Sequence, residues 1–150
     1  MKPEDFIQLL NRQQWEIANC IDRTLPVKVG ALARNHFQDN FLKGGFVNNG
    51  LQKWKPAKRL LSGKPGADNK YRTLMSGREH LFREIRYVPG VARVVVQNKV
   101  PYAAVHNEGL RAGRGRGFQM PKRQFMGKSK ELDEEVTRII EDEIKKAIKQ

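Results

Sequence analysis

The last twenty residues constrain this chain more than any other stretch. Leu132, Val136, Ile139, Ile140, Ile144 and Ala147 recur at three- and four-residue spacing, and most positions between them are charged. That period predicts an amphipathic helix over 130–149. Ser129 stands where an N-cap hydroxyl is wanted. Glu131, Asp133, Glu134 and Glu135 fill the first turns and Lys145, Lys146 and Lys149 the last, which suits both ends of the helix dipole. Such a helix buries a single stripe, so the rest of the chain must offer an apolar surface to receive it.

Two further helices are predicted upstream. Residues 3–22 open with Pro3, Glu4 and Asp5, residue types that suit a first helical turn. Phe6, Leu9, Leu10, Ile17, Cys20 and Ile21 follow at roughly helical spacing, with Trp15 less regular. Pro26 marks a boundary. Residues 27–42 carry a second stripe, Val29, Leu32, Ala33, Phe37 and Phe41, and Gly44-Gly45 ends it. Cys20, the one cysteine, cannot form an internal disulfide. Its neighbours Ile17 and Ile21 place it on a buried face, and a lone thiol fits a reducing cytoplasm. The start of the chain lacks a signal-peptide pattern, and no segment approaches the roughly 20 apolar residues of a membrane span.

The middle changes character. Residues 44–72 hold Gly44, Gly45, Gly50, Pro56, Gly63, Pro65 and Gly66 among many lysines, with Phe46 and Trp54 as aromatic anchors. This predicts a long basic excursion with a short strand near Leu51–Trp54. Leu74 to Leu81 reads as a turn or short helix. Segments 82–88 and 91–98 then form a hairpin about Pro89-Gly90. Segment 101–109 reads as a helical turn closed by glycine. Residues 110–118, with Arg111, Arg114 and Arg116 between glycines, read as a flexible cationic arm, and 118–125 as a further strand. The whole is one α+β domain over 1–150. A small, mostly antiparallel sheet is packed by N- and C-terminal helices.

Charge narrows the partners. Lys plus Arg number 29 against 16 Asp plus Glu, a net charge of +13. That excess attracts something anionic: nucleic acid, a membrane surface or an acidic protein face. Lys53, Lys55, Lys58, Arg59, Lys64, Lys70 and Arg72 surround Trp54 and Tyr71. Cations interleaved with aromatics suit either a nucleic-acid surface or the wall of a channel that DNA passes through. Trp54 is either a stacking platform or a local core anchor. The Arg-Gly run at 113–117 lacks the spacing of a dinucleotide or phosphate loop. It fits an arm that orders on a neighbouring subunit, or a weak nucleic-acid contact.

Catalytic chemistry finds little support. His36, His80 and His106 have no metal-ligand spacing. Ser62, Ser76 and Ser129 lack a nucleophile-elbow context. The acidic residues are scattered beside Lys or Arg, where surface pairing explains them. No catalytic residue, cofactor or metal is expected, and the chain is not read as an enzyme.

Three blocks remain. They are Leu74-x-Ser76-Gly77-x-x-x-Leu81, Tyr102-Ala103-Ala104-Val105-His106-Asn107-Glu108-Gly109, and Met120-Pro121-x-Arg123-x-Phe125-Met126-Gly127 followed by the C-terminal helix. Their order over about residues 27–148 resembles the phage virion morphogenesis (tail-completion) family. Glu108 is one residue more than the family pattern has between Asn107 and Gly109, and Met126 stands where it has Leu. The resemblance implies the α+β fold above and a structural role at the neck or tail end of a phage or prophage virion, the protein being made in the host cytoplasm. It implies a ring-forming homo-oligomer that meets other neck or tail proteins, with no membrane involved. Ser76, Gly77, Tyr102, His106, Gly109, Pro121, Arg123, Phe125 and Gly127 would then be fold or interface residues. Lys53, Lys55, Lys58, Arg59, Arg111, Arg114 and Arg116 would face DNA in a lumen, bound non-specifically, or an acidic neighbour. The alternative from a different class is a stand-alone basic nucleic-acid-binding protein.

Overall fold

The computed structural model describes residues 1–63 and 71–149. Helix α1 (Pro3–Asn19) runs through a π-helical turn (Cys20–Thr24) into helix α2 (Leu25–Lys43), so the N-terminal third is one continuous rod. The break expected at Pro26 is absent, and the reason is local. A proline in a helix has no N–H for the carbonyl four residues back and crowds it. Here the wider turn accommodates the ring, with the Leu25 N–H donating to the Cys20 carbonyl. The carbonyl that Pro26 leaves free, that of Asp22, accepts from the Ala92 N–H at 3.3 Å. Pro26 therefore ties the rod to a distant hairpin instead of ending it.

Strands β1 (Gly45–Val47) and β2 (Leu51–Lys53) form a first antiparallel pair. A 3₁₀ turn (Lys58–Leu61) and a short helix α3 (His80–Arg83) follow. Strands β3 (Ile85–Gly90) and β4 (Arg93–Asn98) pair from Ile85↔Asn98 to Gly90↔Arg93. Helix α4 (Ala103–Glu108) precedes a third pair, β5 (Arg111–Ala112) with β6 (Phe118–Gln119), and α5 (Lys130–Lys149) closes the chain. The fold is α+β and the pairing antiparallel, divided among three two-stranded ribbons.

Several boundaries move. The hairpin turns at Val91-Ala92, not at Pro89-Gly90, with Ala92 at φ 54°. Pro89 lies inside a strand, which a two-stranded ribbon tolerates because each strand is an edge. Phe82 belongs to α3 and not to the strand. The strand expected over 118–125 stops at Gln119, and 120–129 runs without a ladder. The Arg-Gly span is a small hairpin, not an open loop. Within the basic excursion, Lys64, Pro65, Gly66 and Lys70 lie outside the described residues.

The core is built on α2. Phe41, Phe37, Trp54, Ile85, Leu81, Phe125 and Leu132 are all buried in one cluster. Phe41 meets Phe125 at 5.0 Å and Trp54 edge-on at 5.6 Å between ring centroids. Gly30 lets the rod approach the β3–β4 ribbon closely, for a Cβ there would stand 2.5 Å from the Tyr87 ring. A smaller cluster of Cys20, Leu25 and Ala147, with Ile17, Ile139 and Ile144 against it, joins the rod to α5. Burial pushes the Cys20 thiol up, and the nearby Glu143 carboxylate adds to this. Lys28 Nζ reaches Glu143 at 2.5 Å, and that bond holds the Glu143 carboxyl below the usual range.

The first helix departs most from expectation. Its stripe is not a buried face, and no residue of α1 is buried. Phe6, Ile7, Leu10 and Trp15 are each about half exposed or more, at 52%, 56%, 48% and 63%.

Candidate functional site

The extended segment 120–129 is the seam of the molecule. Five separate elements hold it, mostly through side chains bonded to backbone. Met120 N–H donates to the Leu110 carbonyl at 2.9 Å, and Arg123 N–H to the His106 carbonyl at 2.8 Å. The Trp54 indole N–H donates to the Gln124 carbonyl at 2.8 Å. Asn107 Oδ1 accepts from both the Phe125 and Met126 N–H groups, at 2.9 and 3.0 Å. Asn40, fully buried on α2, donates to the Phe125 carbonyl at 2.9 Å and accepts from the Val47 N–H at 3.3 Å. A partly buried segment without a ladder must satisfy its polar backbone somehow, and these side chains do it. Ser129 ends the seam. Its hydroxyl donates to the Val47 carbonyl at 2.6 Å and accepts from the Leu132 N–H, capping α5 as expected.

Arg123 closes the other side. Its guanidinium is buried and donates to the carbonyls of Lys55 and Pro56, at 2.8 and 3.3 Å. This ties the basic excursion to the seam. Desolvation lowers the Arg123 pKa. Arg59 acts alike from the 3₁₀ turn, donating to the carbonyls of Tyr71, Arg72 and Met75 at 2.6, 2.7 and 2.9 Å.

Arg59, Ser76, Leu81, Tyr102, His106 and Arg123 line one open cavity of about 270 Å³. The three blocks, well separated in the chain, thus meet at one place. Tyr102 lies edge-on to His106, with centroids 6.1 Å apart, and its hydroxyl is 3.4 Å from His80 Nδ1. His106 Nδ1 is buried without a partner among the described residues. Burial, then the Arg123 charge, depresses the His106 pKa and favours the neutral ring. No carboxylate stands among the described residues that line the cavity. No group of three His, Cys, Asp or Glu side chains suited to a metal occurs among the described residues.

The remaining motif residues serve the backbone. Gly109 ends α4 at φ 69°, and a Cβ there would lie 2.9 to 3.0 Å from Lys122. Phe125 fills the core, and Pro121 and Gly127 lie in the seam on either side of it. Ser76 and Gly77 form the turn before α3, where the Ser76 carbonyl accepts from the Glu79 N–H at 3.0 Å. Apart from Arg59, the expected contact cations do not join them. Lys53, Lys55 and Lys58 are exposed and line no part of the cavity, and Arg114 and Arg116 are exposed in the β5–β6 turn. Arg111 is exposed too and donates to the Arg116 carbonyl across that hairpin. Trp54 is a core anchor, buried and bonded to the seam.

Residues 28–145 match the sequence profile of the phage virion morphogenesis family. The chain belongs to that family. No curated protein matches it, and no solved structure does. A phage virion morphogenesis protein is a structural component of phage assembly. No helix among its described residues is long and apolar enough to cross a membrane.

Sequence reasoning missed two seam residues of this family member. Asn107 lies within the second motif block, between His106 and Glu108, where its polar side chain is the only signal of its role. Asn40 left a signal as well: it is a polar residue beside Phe37 and Phe41 in an apolar helical stripe.

Proposed function

We propose that this protein completes the phage tail and joins it to the head, working at the neck or tail end as a ring-forming homo-oligomer. The observation that carries this is the convergence of the three motif blocks on one open cavity beside the seam, where Asn107 and Arg123 tie the fold together. Other neck or tail proteins are its partners. Its basic excess attracts their acidic faces, or DNA passing through a lumen, without reading sequence.

The test is complementation. A phage or prophage lacking this gene is supplied with the wild-type protein or with Asn40→Leu, which opens the seam, and particles are counted by electron microscopy. Heads separated from tails without the wild-type protein, and joined particles with it, support the reading. Normal virions in the absence of the gene overturn it. The exposed Arg114 and Arg116 favour a second reading, a stand-alone nucleic-acid binder. That protein would bind DNA tightly as a monomer and lose binding when both arginines are neutralised. The assembly protein would bind weakly and release DNA steeply with salt.

A further inference from the structure

Two apolar surfaces of this chain face solvent and cannot meet each other. One is convex: the first turns of α1 present Phe6, Ile7, Leu9 and Leu10, all exposed. They continue the line that packs inside the molecule further along, where Gln13 Nε2 donates to the Ile148 carbonyl and Ile17 joins the cluster against α5. Every residue of α1 before Gln13 is exposed, so these turns project from the body of the molecule. The other surface is concave: an open groove of about 370 Å³ lined by Ile21, Leu25, Pro26, Val94, Ile140 and Ile144. Ile21 and Ile140 are exposed there, at 40% and 36%.

α1 and α2 are one rod. At about 1.5 Å per residue, Leu10 stands about 22 Å from Leu25, and a continuous helix cannot fold back to close that distance. The groove therefore cannot be filled by the chain's own first helix. Phe6, Leu9 and Leu10 have the i, i+3, i+4 spacing with which a helix anchors in an apolar groove. Charge agrees. The tip of α1 carries Glu4 and Asp5 in a chain of net charge +13. Arg93 lines the groove and Arg23 lies beside it in sequence, both exposed and in no ion pair among the described residues.

We infer that the projecting turns of α1 dock into the α2–α5 groove of a second copy of this chain. The inference rests on the oligomeric reading above and names the surfaces that make the contact. The contact is head-to-tail, so repetition closes a ring or extends a filament. The apolar part of α1 lies before residue 28, outside the span matched to the family.

The experiment measures solution mass by light scattering across a concentration series. It uses the full chain, Leu10→Glu, Ile140→Glu, and a mixture of the two variants. Ile21→Glu serves as a second groove variant, and far-UV circular dichroism checks folding. The expected result is a discrete multimer for the wild type and a monomer for each variant. The mixture should give a one-to-one dimer, because each variant keeps one intact surface. A wild-type monomer at every concentration overturns the inference. Variants that keep the wild-type mass also overturn it, while leaving a ring built on other surfaces. Either failure is separate from that of tail completion, which the complementation decides.

Discussion

The seam and the first helix are opposites. Segment 120–129 has almost no regular structure, yet it is held by Asn40, Trp54, Asn107, Arg123 and the hydroxyl of Ser129. Helix α1 is wholly regular, yet none of its residues is fully buried and only its last turns, with Ile17, pack against α5. Regularity satisfies a backbone, while burial ties a segment to the rest of the molecule. The family match covers the seam and omits α1. The seam makes the fold, and α1 is the part free to face outward.

The comparison breaks most visibly at Phe125. Phe125→Ala removes a fully buried ring from against Phe41 and should cost about 3–5 kcal/mol, read as a large drop in thermal midpoint. A midpoint close to wild type would mean the seam is not part of the cooperative unit. Asn107→Ala leaves two backbone N–H groups without their acceptor and should cost about 1–3 kcal/mol in chemical denaturation. Asn107→Asp keeps the acceptor and should recover most of that loss.

The pH dependence is smaller. The His106 pKa lies below the ordinary imidazole value of 6.5 in the folded chain. Its stabilising effect is complete above 6.5 and is lost as pH falls through the folded value, because the unfolded chain takes the proton first. Stability measured from pH 7 to pH 5 should decline, and His106→Gln should flatten that slope. The carboxyls of Glu131 and Glu143, whose pKa values are lowered from 4.5, act only in more acid solution. The smallest effect belongs to α1. Phe6→Ala with Ile7→Ala should change the unfolding free energy of dilute protein by less than about 0.5 kcal/mol, as exposed substitutions do. A loss as large as that of Phe125→Ala would mean α1 packs within its own chain.

Much was legible in the sequence because it was local. The α5 stripe, its Ser129 cap, the Gly109 stop and the α+β class follow from spacing and residue type. The three blocks carried the family without any coordinates. Pro26 misled because local preference says break, whereas a wider π-helical turn accommodates the ring and the distant Ala92 N–H takes the Asp22 carbonyl it leaves free. The strand expected over 118–125 misled for a related reason. The residues of 118–125 suit an extended chain, but they do not say whether a neighbour forms a ladder beside it.

Periodicity alone determined which faces of this chain are apolar, since that depends only on neighbours a few residues away. The tertiary structure decided which of those faces find a partner. It buried the stripe of α2 and left the first turns of α1 exposed, because burial depends on which elements pack together, as Gln13 and Ile148 do across more than 100 positions.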